Sequence, residues 1–223
     1  MAAHAKASHA ATTWRAMPLR TPLLRPGDDI LAVAEEALRS AGLVTRPTDI
    51  VAICESPLAI TQGRVVDVDD IRPGAAARTF CRLFSTEGSL GDPYGMQLAI
   101  DEVGLARIAL ALVAGIAGRL LGHRGDFYRL AGRPVAWIDA IGGTMGPYSQ
   151  CLVLGPRQPG EVVGRVGEAL ACRAAVVDVN DLGKVEVLAA SPDVDVAALV
   201  EVLRSNPQGN DDEQTPLVLV RRG

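Results

Sequence analysis

The sequence predicts a fold of the α+β class, in which helices and strands are interleaved along the chain. Short apolar runs bounded by polar residues, glycine or proline are typical of buried strands, and segments with apolar residues at helical spacing separate them. The first predicted strand is not followed by a glycine fingerprint. The pattern therefore disfavours a plain dinucleotide-binding fold.

Helices are predicted where apolar residues recur at intervals of three and four. The first follows the polar residues 27–29, where an aspartate can cap the free backbone amides, and it ends at Gly42. A break at Gly104 is expected in the longest helix, because glycine interrupts the pattern there. The remaining helices are predicted at 75–84, 96–121, 159–172 and 194–204.

Strands are predicted from apolar runs that are too short for a helix. The segment 174–179 is the clearest, and 184–188 is expected to pair with it across the turn at 180–183. The other predicted strands lie at 49–55, 63–66, 134–138, 150–154 and 217–221.

The most apolar stretch, LARIALALVAGIAGRLL at 105–121, is too short to cross a membrane. Arg107 and Arg119 leave eleven uncharged residues between them, whereas a membrane span needs about 20. Gly115 and Gly118 would let another part of the chain approach closely. We expect a buried, Gly-rich helix in the middle of the fold, and no membrane partner.

Composition suggests the domain organisation of the chain and its cellular compartment. Residues 1–20 have the composition of a disordered leader, although a transit peptide has a similar one. Residues 21–223 are expected to form a single domain, or two lobes that meet near 88–95. Four widely spaced cysteines without a C-x-x-C pair favour a reducing, cytoplasmic compartment. The net charge of −4 gives no electrostatic reason to bind nucleic acid.

The basic residues exclude several kinds of chemistry. The chain has 20 arginines but only two lysines, Lys6 and Lys184, so it contains no G-x-x-x-x-G-K-[ST] phosphate loop. Three histidines, of which only His123 lies beyond the leader, cannot supply an H-E-x-x-H zinc motif. Charged ligands must therefore be handled by carboxylates, arginines and backbone amides.

Four acidic clusters could contribute to a ligand site. Carboxylate and carboxamide oxygens are the ligands that Mg²⁺ and Mn²⁺ prefer. The segment 178–181 lies where the clearest strand runs into a turn, and ligand-binding residues concentrate at strand ends in α/β folds, but an Asx turn would explain it as well. Solvated loops and helix caps are the simpler explanation for the other three. These are 67–70, 209–213, and the group Asp92, Asp101 and Glu102.

Several short strings, in this order, resemble the γ-glutamyl ligases that extend the deazaflavin coenzyme F420. They are PLLRPGDDI at 22–30, QGRVVDVDDIRP at 62–73, DVND at 178–181 and GNDDEQTPLVLVR at 209–221. The resemblance covers about 22–73 and 150–223. The middle of the chain, about 75–133, does not resemble the family.

The resemblance implies an unusual α+β fold, a homodimer, and GTP-dependent formation of an amide bond through an acyl phosphate. A small-molecule acid and an amino acid would be the substrates, and Mg²⁺ or Mn²⁺ the cofactor. Asp178, Asp212 and Asp139 are then the candidate metal ligands. Arg64, Asn180 and Asn210 are the candidate nucleotide or ligand contacts, and no catalytic residue is assigned.

Three departures from the family pattern leave a second hypothesis open. Ile60 replaces a lysine, Gly143 replaces a metal-binding aspartate, and Val179 replaces a threonine. Each removes a contact expected of a working ligase. The chain is either a divergent ligase or a non-catalytic ligand-binding or regulatory protein of the same fold.

Overall fold

The computed structural model describes residues 14–86, 88–142, 146–180, 182–209 and 213–223. It confirms a mixed α+β fold. The strands are β1 (Trp14–Leu19), β2 (Ile50–Cys54), β3 (Val65–Asp67), β4 (Cys151–Val153), β5 (Arg173–Val179), β6 (Val185–Ala190) and β7 (Leu217–Arg222). The helices are α1 (Ile30–Ser40), α2 (Glu55–Thr61), α3 (Ala75–Phe80), α4 (Pro93–Val103), α5 (Leu105–Leu120), α6 (Asp126–Ala131), α7 (Arg133–Ala136), α8 (Pro159–Ala169) and α9 (Val196–Leu203).

Five strands form one mixed sheet in the order β1-β7-β2-β5-β6. Strands β2 and β5 are parallel, with Ile50 opposite Arg173, and the other neighbours are antiparallel. The predicted pairing of 184–188 with 174–179 is confirmed as the β5–β6 hairpin. Strands β3 and β4 form a separate two-stranded sheet.

Both faces of the large sheet are covered, which explains why β2 is apolar throughout. Successive side chains of a strand point to opposite faces. Val51 and Ile53 pack in one cluster with residues of α1 and α8, whereas Ile50 and Ala52 pack in another with residues of α9. The sheet therefore holds the ends of its central strands rigidly.

Residues 66–154 build a second hydrophobic cluster beside the small sheet. Met96, Ile108 and Leu152 are fully buried there, with Phe127 of α6 packed against Phe84 at a ring-centroid distance of 4.8 Å. This cluster is made largely by α3 to α7. It supports β4 and the segment that follows α7.

The central apolar region is broken at Gly104, as predicted, but α5 is only half buried. Gly104 has a φ of +90°, and α4 and α5 meet there at a bend of 113°. Ile108 and Ala111 are fully buried, whereas Leu110 and Val113 are 60% and 65% exposed. The expectation of a buried helix is therefore met on one face only.

Within the described residues, no single helix has the length and apolar composition needed to cross a membrane. The bent pair α4 and α5 meets those criteria only when the two helices are counted together.

Two other sequence-based expectations are corrected. Residues 14–19, assigned to a disordered leader, form β1 and pair with β7; residues 1–13 lie outside the described part of the chain. The segment 134–138, expected as a strand, contains most of α7, with Pro134 in its first turn. Proline is tolerated there because the first amides of a helix have no partner within the helix.

Candidate functional site

A cavity of about 890 Å³ lies at one edge of the large sheet. Strands β2 and β5 are parallel, so both carboxyl ends point to this edge, and the antiparallel β7 begins there. Strand β1 runs antiparallel to β7 and therefore also ends at the same edge. The cavity is lined by residues from 21–24, 54–57, 177–180 and 213–216, together with Ile60, Asp139, 146–148 and 208–209.

Main-chain hydrogen bonds fix the segments around the cavity. The Thr21 amide donates to the Gln214 carbonyl, and the Cys54 amide donates to the Pro216 carbonyl, both at 2.9 Å. The Tyr148 hydroxyl donates to the Leu24 carbonyl at 2.9 Å. Segments that are far apart in sequence are thus joined by hydrogen bonds in one wall of the cavity.

The wall is acidic. Asp139 accepts a hydrogen bond of 2.5 Å from the Ser56 hydroxyl, yet burial raises the pKa of Asp139 to about 6. Burial also raises the pKa of Asp178, an effect that Lys184 opposes and Glu186 reinforces. Carboxyl groups whose pKa is raised by burial and by one another are typical of functional sites.

Glu55 is the most perturbed acid of the wall. Burial and the neighbouring Asp139 and Asp178 raise its pKa to about 9, and its Oε1 has no hydrogen-bond partner. Beside it, burial and Asp178 raise the pKa of the Cys54 thiol to about 12. A thiol with that pKa stays protonated at neutral pH, so Cys54 is not an activated nucleophile.

Three of the candidate residues are brought together, and two lie beyond the described residues. Asp139, Asp178 and Asn180 line the same cavity. The Asn180 side chain also accepts hydrogen bonds from the amides of Leu182 and Lys184, so the Asx turn is present at this ligand candidate. The candidates Asn210 and Asp212, with Asp181 and Gly143, lie outside the described residues.

Arg64 lies in a different place from the other candidates. It is 5% exposed, and its guanidinium donates to the Gly155 carbonyl and to Glu102 at 2.5 and 2.9 Å. It lines a second cavity of about 390 Å³ together with Arg133 and Arg157. The structure therefore does not place Arg64 among the residues around Asp178.

Asp67 and Asp92, which belong to two of the other acidic clusters, accept hydrogen bonds from the backbone. The Asp67 side chain accepts from the Asp69 amide in the turn after β3, and Asp92 caps α4. These contacts agree with the simpler explanation of those residues as parts of loops and helix caps.

The donor chemistry of the large cavity suits a hard divalent cation. Asp139 and Asp178 supply carboxylate oxygens, and Glu55 adds a buried oxygen without a partner. In the part of the chain that the structure describes, no three His, Cys, Asp or Glu side chains are grouped so as to hold a metal ion. The third candidate ligand, Asp212, is outside that part.

A family model described as F420-0:Gamma-glutamyl ligase covers two of the segments that line the cavity, 21–24 and 54–57. Residues 18–123 match this family. The resemblance seen at 22–30 and 62–73 is thereby confirmed, and the match associates the chain with γ-glutamyl ligation in general. No curated protein matches the chain.

The range of the family match overturns the expectation for residues 75–123 and does not test the one for residues 150–223. Residues 75–123 were expected to depart from the ligase family, but they lie within the matched segment. The match ends before 150–223, so the resemblance at 178–181 and 209–221 stays a prediction.

Two residues of the cavity wall were missed by sequence reasoning. Glu55 was placed at the end of a predicted strand, and Gln208 was not considered. An acid directly after a fully apolar strand was the available signal for Glu55, since the end of such a strand in a mixed sheet is where ligand-binding residues gather. Gln208 lies between α9 and β7 and carries no comparable local signal.

Proposed function

We propose that this protein is a metal- and nucleotide-dependent ligase that joins a carboxylic acid to an amine through an acyl phosphate. The main support for the proposal is that three segments, far apart in the sequence, line the same cavity. Residues 22–24, 178–180 and 213–216 belong to three segments that resemble the F420 γ-glutamyl ligases, and all of them line it. The family match at 18–123 supports the same activity.

The acidic lining of the cavity predicts that nucleotide binding requires a metal ion. Four acidic residues, Glu55, Asp139, Asp178 and Glu213, line the cavity, and no Lys or Arg does so among the described residues. Ile60 occupies the position of the family's lysine. Nucleotide phosphates are repelled by such a wall unless cations neutralise it.

Asp139 and Asp178 are the described residues that would hold Mg²⁺ or Mn²⁺, with Asp212 as the third ligand. The hydrogen bond from the Ser56 hydroxyl holds the Asp139 carboxylate in place, as is usual for metal-binding carboxylates. When bound, the metal would supply charge neutralisation for the phosphates of GTP or ATP.

The proposed reaction has two steps, phosphorylation of the acid and attack of the amine on the acyl phosphate. The acid's carboxylate oxygen attacks the terminal phosphorus, and the nucleoside diphosphate leaves. The amine nitrogen then attacks the acyl carbon: a C–N bond forms, the C–O bond to phosphate breaks, and inorganic phosphate leaves with the electron pair. The nitrogen loses one proton to phosphate or water. The hydrogen-bonded segments of the wall would hold the reactants close together for both steps.

Phosphate release tests this proposal. With Mg²⁺ and GTP or ATP, release is expected only when both an acid and an amine from a substrate panel are present. Asp178→Asn should lower the rate at least tenfold, because a carboxamide is a weaker ligand for a hard cation. The matched control is Asp193→Asn, since Asp193 is 62% exposed and pairs with Arg173 away from the cavity.

Two outcomes would contradict the proposal. One is equal phosphate release by the wild type and Asp178→Asn. The other is nucleotide binding without phosphate release for every acid and amine, which would favour the non-catalytic ligand-binding protein.

A further inference from the structure

The second cavity, of about 390 Å³, has a positively charged lining. Arg64, Arg133 and Arg157 line it, and Glu102 is the one acid among its described lining residues. The described lining of the large cavity, in contrast, is acidic and contains no Lys or Arg. A volume of this size accommodates a small organic molecule. The charge of the lining therefore favours an anionic occupant.

Arg64 offers hydrogen-bond donors from a fixed and buried position. It is 5% exposed, and its Nε and Nη2 donate to the Gly155 carbonyl and to Glu102 at 2.5 and 2.9 Å. These two contacts hold the guanidinium in one orientation. Within the described part of the chain, Nη1 has no acceptor, so its N–H groups are available to an occupant. A guanidinium held in this way suits the oxygens of a phosphate or a carboxylate.

Arg133 and Arg157 add two exposed guanidinium groups at the same cavity. Cζ of Arg133 lies 5.6 Å from the centroid of the Trp137 ring, which is a cation–π contact. The backbone of Arg157 is held by Gln62, with hydrogen bonds of 2.7 and 3.0 Å. Neither arginine forms an ion pair with a described residue. Their charges are therefore available to a ligand.

We propose that the second cavity is a binding site for a small organic oxyanion, a phosphate ester or a carboxylate, held by Arg64, Arg133 and Arg157. The three guanidinium groups supply positive charge and N–H donors together, which is what such an anion requires. No described residue lines both cavities, so this site is separate from the acidic one. The inference does not depend on the ligase reaction.

The rest of the lining agrees with an organic anion. Helix α8 begins at the cavity with Gln158 and Pro159, and the positive end of the helix dipole adds to the attraction for an anion. Pro134 and Trp137 offer apolar surface to the carbon part of the ligand.

Calorimetric titration with EDTA present, to remove divalent ions, tests the inference. The probes are glycerol 3-phosphate, succinate and the uncharged glycerol. At least one of the two anions is expected to bind at least about tenfold more tightly than glycerol, because glycerol cannot form charge-assisted hydrogen bonds with two ionised partners. The anion that binds more tightly shows whether the site takes a phosphate or a carboxylate.

Arg133→Gln and Arg157→Gln should each weaken the binding of that anion by about tenfold, because each removes a hydrogen bond between charged groups. Both residues are exposed, so both variants are expected to fold, and thermal unfolding checks this. Arg64 is left in place because its removal would deprive Glu102 of its ion-pair partner. The matched control is Arg204→Gln, since Arg204 is 59% exposed and lines neither cavity.

The control variant should bind the anion as the wild type does. Failure of both anions to bind more tightly than glycerol would overturn the inference. Equal affinity of the wild type, Arg133→Gln and Arg157→Gln for the anion would overturn it as well. Neither nucleotide nor metal is present, so these results are independent of the tests of the ligase.

Discussion

Asp49→Ala is expected to destabilise the protein by about 2–4 kcal/mol, because it removes the fully buried carboxylate that accepts hydrogen bonds from the Arg221 guanidinium and the Arg46 amide. Asp49 is fully buried and accepts hydrogen bonds of 3.0 and 2.7 Å from Nε and Nη2 of Arg221. Its carboxylate also accepts from the Arg46 amide at 2.9 Å and raises the pKa of Arg221. These contacts join the start of β2 to the end of β7, the two strands whose opposite ends border the cavity.

Urea unfolding measures this effect. Glu201→Ala is the matched control, because Glu201 also pairs with an arginine, Arg204 at 3.3 Å, but is 74% exposed. An exposed pair of this kind contributes about 0–1 kcal/mol. Equal free energies of unfolding for the two variants would contradict the importance assigned to Asp49.

Glu55→Gln is expected to stabilise the protein at neutral and higher pH, because burial of Glu55 disfavours its charged form and raises its pKa. The pKa of Glu55 rises from 4.5 to about 9 on folding. Between these values the unfolded chain releases a proton that the folded chain keeps, so the free energy of unfolding of the wild type falls as pH rises. Glutamine carries no such proton, so its advantage over the wild type should grow by up to about 1.4 kcal/mol for each pH unit between these two values.

The sign and the pH window of this effect are both measurable. The melting temperature of Glu55→Gln should exceed that of the wild type by an amount that increases as pH rises from about 5 and stays constant above about 9. The exposed control Glu168→Gln should show a difference that does not change with pH. A difference for Glu55→Gln that is independent of pH would show that the carboxyl has an ordinary pKa in the folded state.

The strands at the centre of the sheet could be predicted because their sequence pattern is local. The uninterrupted apolar run of β2 follows from burial on both faces of the sheet. Strand β1 could not be predicted in this way. It pairs with β7, about 200 residues away in sequence, and its half-exposed residues carry no local mark of that partner.

Proline accounts for two of the errors in secondary structure. Pro57 was taken as the boundary of a strand, and Pro134 as the start of one, but each lies in the first turn of a helix, α2 or α7. Sequence patterns alone do not distinguish a proline that ends an element from one that begins a helix. As a result Glu55, the first residue of α2, was placed inside a strand.

The candidate site could be predicted in part. Asp178 and Asn180 were found because they lie where the clearest strand ends in a turn, and Asp139 because of its place relative to a family motif. Arg64 was chosen for its charge type, but burial and the pair with Glu102 direct its side chain to another cavity. Which charged side chains share a cavity depends on the order of the strands, and that order is a property of the whole fold.

Calorimetric titration of GTP and ATP, with and without Mg²⁺ or Mn²⁺, tests the central claim most directly. The wild type is expected to bind one of these nucleotides only when metal is present, and Asp178→Asn should lose that binding while remaining folded. Asp193→Asn should bind as the wild type does. Absence of metal-dependent binding in the wild type would contradict the assignment of this acidic cavity to a nucleotide-dependent ligase.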